Sequence, residues 1–89
     1  MHWDVTEVSA EHGHVLRVKF RDGVAGRVRF EPDFFVGVFA PLKAADRFEQ
    51  VFIDMGAVSW PGDLDLAPDA MYRAIKAHGE WRLPSASFA

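Results

Sequence analysis

The chain contains no cysteine. Disulfides, thiolate metal sites and cysteine nucleophiles are therefore excluded together, and the composition fits a reducing compartment. It has no apolar run near the ~18 residues that a membrane helix requires. The N-terminal segment MHWDVTEV carries acid where a signal peptide has a basic and then an apolar stretch. A soluble, cytoplasmic protein is expected. A cationic surplus is also missing. Ten lysines and arginines against 13 aspartates and glutamates leave a net charge of −3, which argues against nucleic-acid binding by the whole surface. No internal repeat, linker or low-complexity tract interrupts the chain.

What is present is a core. Eighty-nine residues make one domain. A chain of this size buries about 60–65% of its unfolded surface. Eight phenylalanines and 49% hydrophobic residues supply the interior and exclude disorder. In HVLRVKF, Leu16, Val18 and Phe20 alternate with Arg17 and Lys19, the period of a half-buried strand. An Asp-Gly turn at 22–23 follows, and VAGRVRF resumes the alternation with Val24, Gly26, Val28 and Phe30 on one face. Upstream, Trp3 and Val5 alternate with Asp4 and Thr6. These segments predict a three-stranded antiparallel meander.

Pro32, Gly37 and Pro41 break that rhythm and exclude long elements in the middle. One helical turn near 33–36 and a short helix near 43–49 are expected. QVFID and AVSW, separated by Met-Gly, read as a second β-hairpin. From Pro68 the pattern turns helical, with Met71, Ala74, Ile75 and His78 on one face. Pro68 suits the first helical position, Asp69 the positive end of the helix dipole, and Gly79 the left-handed stop. Asp69 and Arg73 are spaced to pair one turn apart. The expected fold class is α+β: a meander, a second hairpin, short helices in the middle and one C-terminal helix. Residues 1–79 form the domain and 80–89 a flexible tail.

Several patterns carry chemistry on paper. WPGDLDLAPD holds Asp63, Asp65 and Asp69 within seven residues. Counted from Asp63 as a calcium loop, the fifth, sixth and twelfth positions are Ala67, Pro68 and Ala74, so the ligand pattern fails. Leu64 and Leu66 read as core anchors and Asp65 as a loop-former ahead of the helix. His12 and His14 offer two imidazoles, short of the three or four protein ligands of a zinc site. Ser9, Ser59, Ser85 and Ser87 lie in no nucleophile elbow, and GVAG at 23–26 lies within a hairpin instead of ahead of a phosphate-binding helix. No catalytic, cofactor-binding or metal-ligating residue is assigned, and no enzyme activity is expected.

Two surfaces remain. Arg17, Lys19, Arg27 and Arg29 share the polar face of the first hairpin, with Arg21 at its turn. Half of the ten basic residues lie there, and a two-stranded ribbon can read a major groove. No aromatic ring interleaves with these cations, and Asp4, Thr6 and Glu7 on the neighbouring strand are placed to neutralise part of the stripe. The second surface is apolar. Eight phenylalanines, three tryptophans and one tyrosine exceed what a small sheet under one helix hides. Phe34, Phe35, Phe39 and Trp81 are the rings expected at the surface, with Phe34, Phe35 and Trp81 as the partner-binding candidates.

MHWDVTEV, VLRVKFRDG, VFAPL, DRFEQVFID and VSWPGDLDLAPDAMY occur in an order that resembles a family of small bacterial proteins known as a domain of unknown function. The resemblance covers residues 2–76, and Trp-Pro followed by Asp-Leu-x-Pro-Asp is its most specific part. It implies an α+β domain without established enzymatic activity. Some relatives stand ahead of a helix-turn-helix, and others look like antitoxin partners of a small toxin-like neighbour. Where the family tends to have Asn-Gly-Ala after Trp-Pro, this chain has Gly62, Asp63 and Leu64. With an end at residue 89, no appended helix-turn-helix is expected. The combined expectation is a non-enzymatic protein-interaction domain, antitoxin-like, with a protein partner and a homodimer as its second state. The alternative is a nucleic-acid-binding protein that uses Arg17, Lys19, Arg21, Arg27 and Arg29.

Overall fold

Asp22 shows how local chemistry sets the first hairpin. In the computed structural model, which describes residues 3–84, its Oδ1 accepts the Val24 N–H at 3.0 Å. Gly23 takes the left-handed φ of 94° that closes the turn. The turn joins β2 (Val15–Phe20) to β3 (Ala25–Phe30), in register from Val15 opposite Arg29 to Lys19 opposite Ala25. β1 (Val5–Glu11) flanks β2 antiparallel, with a register shift between Val5 and Glu7. The expected meander is present.

The four-residue strand β7 (Glu80–Leu83) corrects the reading of 80–89 as a tail. It lies parallel to β3, Arg27 opposite Glu80 and Phe30 opposite Leu83, and completes the sheet order β1-β2-β3-β7. Trp81 and Leu83 turn inward while Glu80 and Arg82 turn outward, the alternation of a half-buried strand. Residues 85–89 of the expected tail lie outside the described residues.

The middle segment is more finely divided than expected. A single turn spans Pro32–Phe34, a 3₁₀ helix Gly37–Lys43, and α1 only Ala45–Phe48. Pro41 within the 3₁₀ stretch explains why no continuous helix forms. β4 (Phe52–Asp54) and β5 (Ala57–Trp60) make the expected second hairpin. Its turn places Met55 and Gly56 at φ of 51° and 81°, the handedness a two-residue hairpin loop requires. Leu64–Asp65, expected as a connection, form a third strand, β6, with Asp65 opposite Ser59 and Leu64 opposite Trp60. The two sheets are joined where the Val5 N–H donates to the Gly56 carbonyl at 2.9 Å.

α2 (Pro68–His78) begins on proline, carries Asp69 in its first turn and ends on Gly79 at φ 81°. Met71 and Ile75 are buried as expected, His78 is exposed, and Tyr72 is buried although the period did not select it. The reason is a specific bond: the Tyr72 hydroxyl donates to Asp22 Oδ2 and ties the helix to the first hairpin turn. That bond, more than burial, raises the phenol above its ordinary value of 10.0. α2 packs on β3 and β7 of the larger sheet, and Leu16, Val18, Phe20 and Val28 of that sheet are fully enclosed. A second nucleus of rings joins the two sheets. Phe30 meets Phe48 at 5.2 Å and Trp60 at 6.1 Å, and the Trp60 Nε1–H donates to the Phe48 carbonyl at 2.9 Å. Each buried ring contributes a large apolar area, and edge-to-face pairing adds to it.

Candidate functional site

The basic face of the hairpin forms as expected, but it is not bare. Arg27 Nε bonds Glu11 at 2.9 Å, Arg29 Nε bonds Glu80 at 2.8 Å, Lys19 lies 3.8 Å from Glu7 and Arg21 lies 3.5 Å from Asp4. Thr6 donates to the Lys19 carbonyl at 3.3 Å. Asp4, Thr6 and Glu7 are the neighbours that the sequence points to. Glu11 and Glu80 are not, because one needs the β1 register and the other a strand not foreseen. Of the five cations, Arg17 alone makes no ion pair among the described residues. Its sheet neighbours are Ser9 and Arg27.

These pairs shift protons in a definite direction. The hydrogen bond from Arg27 holds the Glu11 carboxyl below its ordinary value of 4.5, and the bonds from Arg29 and Arg82 do the same for Glu80. A carboxyl whose folded value lies below its unfolded one adds stability above that unfolded value. The contribution disappears as pH falls through the folded value. We expect the urea midpoint of the native chain to fall on acidification, and Glu11→Gln with Glu80→Gln to flatten that acid limb. An unchanged slope in the double variant, followed by circular dichroism from neutral pH to pH ~3, would show that the pairs are too solvated to matter.

The rings expected at the surface are mostly covered. Phe35 is buried, which removes it as a partner-binding residue, and it stacks on Phe30 at 6.0 Å. Phe34, Phe39 and Trp81 are half-buried against the core. Among the described residues the exposed large apolar side chains are others: Val36 (65%), Val38 (70%), Phe52 (43%) and Met55. The sequence signal for Val36 and Val38 was their place beside Gly37 in a broken segment, where no periodic face exists to hide them.

Val38 borders an open cleft of about 530 Å³. Pro41 and Leu42 from the 3₁₀ helix line it together with Pro61, Gly62 and Leu64 from the turn after β5, and the buried Trp60 borders it as well. Its polar lining is Arg47, Gln50 and Asp63. The same turn borders a second concavity of about 180 Å³. Phe52, Asp54, Ser59 and Asp65 line it, on the outward face of the smaller sheet. Ser59 is buried there, and its hydroxyl donates to the Ala57 carbonyl at 3.3 Å. No imidazole lines either hollow to activate Ser59.

The turn between the hollows is tightly wound. Gly62 and Asp63 both take left-handed backbone, at φ of 97° and 63°, so that Trp60 and Leu64 can face each other across three residues. Aspartate tolerates this region better than most residues. Asp63 and Asp65 stand exposed, and Leu66 is buried as expected while Leu64 is half-buried. His14 takes no part in a paired imidazole site. Its Nε2–H donates to the Lys43 carbonyl at 3.0 Å, and the ring packs on Phe35 and Phe48 at 4.8 and 5.1 Å. Among the described residues no three histidine or carboxylate side chains are grouped to hold a metal ion, and no helix is long and apolar enough to cross a membrane.

Residues 5–77 match a family described as "Protein of unknown function (DUF2442)". The chain belongs to that family. The matched span begins with β1 and runs through almost all of α2, so it includes both hollows and the Trp60–Asp65 turn. In this DUF2442 domain the sheet is completed by β7, which lies beyond the matched span. No curated protein and no solved structure matches the chain.

Proposed function

We propose that this DUF2442 chain is a non-enzymatic, cytoplasmic protein-interaction domain, antitoxin-like in mode. A partner docks on the end of the fold made by Gly37–Lys43 and the Trp60–Asp65 turn, and the domain works by covering the partner's own working surface. The supporting observation is the run of uncovered apolar surface at Val36 and Val38, continuous with a cleft walled by Pro41, Leu42, Pro61 and Leu64. Exposed apolar surface with a polar rim is the common character of a docking patch. Candidate partners are the product of the adjacent gene, a small toxin-like protein, and a second copy of the chain.

Val38→Glu tests the reading, since a carboxylate at the mouth of the cleft leaves the fold's buried core untouched. Capture of the adjacent gene product, reconstituted from purified proteins, is expected to weaken at least ~tenfold, about 1.4 kcal/mol. The melting temperature should stay within about 2 °C, as for surface substitutions generally. Capture at native strength would overturn the proposal. The alternative, nucleic-acid binding, draws its support from Arg17 and the four paired cations beside it. Strong binding at low salt that is lost on charge reversal of Arg27 and Arg29 would favour it.

A further inference from the structure

The charge pattern around the cleft says what kind of partner fits. Between Phe48 and Tyr72 the chain carries Glu49, Asp54, Asp63, Asp65 and Asp69 and no lysine, arginine or histidine. Asp69 is paired with Arg73 at 3.6 Å. On the larger sheet Glu7, Glu11 and Glu80 are each matched by a cation. Asp54, Asp63 and Asp65 make no ion pair among the described residues, and all three border the hollow next to the apolar cleft. The end of the molecule at the cleft therefore joins apolar surface to unpaired carboxylates, whereas each of these glutamates on the larger sheet is already matched.

We propose that the cleft selects a basic, aliphatic segment of its protein partner, with an apolar side chain seated between Val38 and Leu64 and an arginine or lysine against Asp54, Asp63 and Asp65. This rests on the docking reading given above and adds the partner's chemistry to it. Two features favour a side-chain cation over a metal ion. The carboxylates are not gathered into a metal-holding group, whereas a guanidinium spans several acceptors at once. Phe52, 43% exposed, borders the same hollow as Asp54 and offers a ring on which a guanidinium stacks. Arg47 lines the apolar cleft but not the hollow that holds Asp54 and Asp65, which leaves that hollow without a cation of its own. An arrangement of this kind affects encounter rate and orientation more than total affinity.

The test uses the full-length, ¹⁵N-labelled chain and three synthetic peptides: alternating leucine and arginine, the same with glutamate for arginine, and the same with serine for leucine. The leucine–arginine peptide is expected to shift the amides of Val38, Phe52 and Gly62–Asp65. Its affinity should fall several-fold between low and ~0.3 M salt, because the carboxylates are exposed and screened. Replacing Asp54, Asp63 and Asp65 together by asparagine, which also tolerates the left-handed backbone at position 63, should weaken it at least ~tenfold with the circular dichroism unchanged. Weak binding by the other two peptides completes the expected result. Equal binding of the leucine–glutamate peptide at the same amides would overturn the basic partner and leave the docking surface standing. Failure of the leucine–arginine peptide to shift these amides, or shifts confined to the larger sheet, would overturn the inference. Failure of the docking reading itself is seen separately, as native capture by Val38→Glu.

Discussion

Trp60→Ala is expected to cost about 3–5 kcal/mol, the range for deleting a large buried ring. At about 0.05–0.15 kcal/mol per residue, the 89-residue chain has roughly 4–13 kcal/mol to lose. The variant should therefore be largely unfolded or melt far below the native chain. Three contributions combine. The ring is almost wholly enclosed, it packs on Phe48 and Phe30 at 5.9 and 6.1 Å, and it satisfies the Phe48 carbonyl through Nε1. Trp60→Phe separates them, since it keeps most apolar contact but strands that carbonyl, a cost of about 1–3 kcal/mol. Urea titration followed by far-ultraviolet circular dichroism measures both. A Trp60→Ala midpoint close to native would mean that the second sheet does not depend on this ring.

Gly26→Val is the second large effect and comes from the opposite cause, excess volume. Even the first added carbon would sit 2.5 Å from the Gly79 carbonyl oxygen and 2.6 Å from Ile75 Cγ2. One of these is backbone at the helix stop and cannot swing away. Overpacking costs about 1–3 kcal/mol, and valine adds two further carbons, so about 3 kcal/mol or more is expected. In a domain of this size that lowers the melting temperature by about 12 °C or more, at about 4–8 °C for each kcal/mol. Gly26→Ala should do less harm, and adding Ile75→Ala should not restore it fully, because the Gly79 carbonyl remains in the way. Full rescue in that double-mutant cycle would show that only the side chain, and not the helix backbone, closes on β3.

The parts of the fold that were readable from the sequence are those whose signals are local. Alternation from Val15 to Phe30 around Asp-Gly, and the Pro68 to Gly79 helix with its stop, each need only neighbours within a few residues to make physical sense. β7 was hidden because four alternating residues after a helix stop look like any short tail, and the partner strand lies about fifty positions upstream. The Arg29–Glu80 pair was hidden with it. Tyr72 was missed because a helical period counts apolar neighbours and cannot see a hydroxyl reaching a distant turn. The candidate site was half visible. The aspartates and prolines of WPGDLDLAPD announce an unusual segment, yet the cleft exists only because the 3₁₀ helix from residues 37–43 lies across from it.

The parallel pairing of β3 with β7 has a consequence for how the chain is made. Synthesis runs from the N-terminus, so the hairpin of β2 and β3 leaves the ribosome well before residues 80–83 exist. Until then the outer edge of β3 has unpaired backbone groups, because both α2 and β7 follow it by roughly forty residues or more. Such an edge is a template for pairing with another chain. Closing it late, across so long a separation, also slows folding relative to a helical protein of equal length. The nascent domain is thus most vulnerable to aggregation in the interval before its final strand is translated.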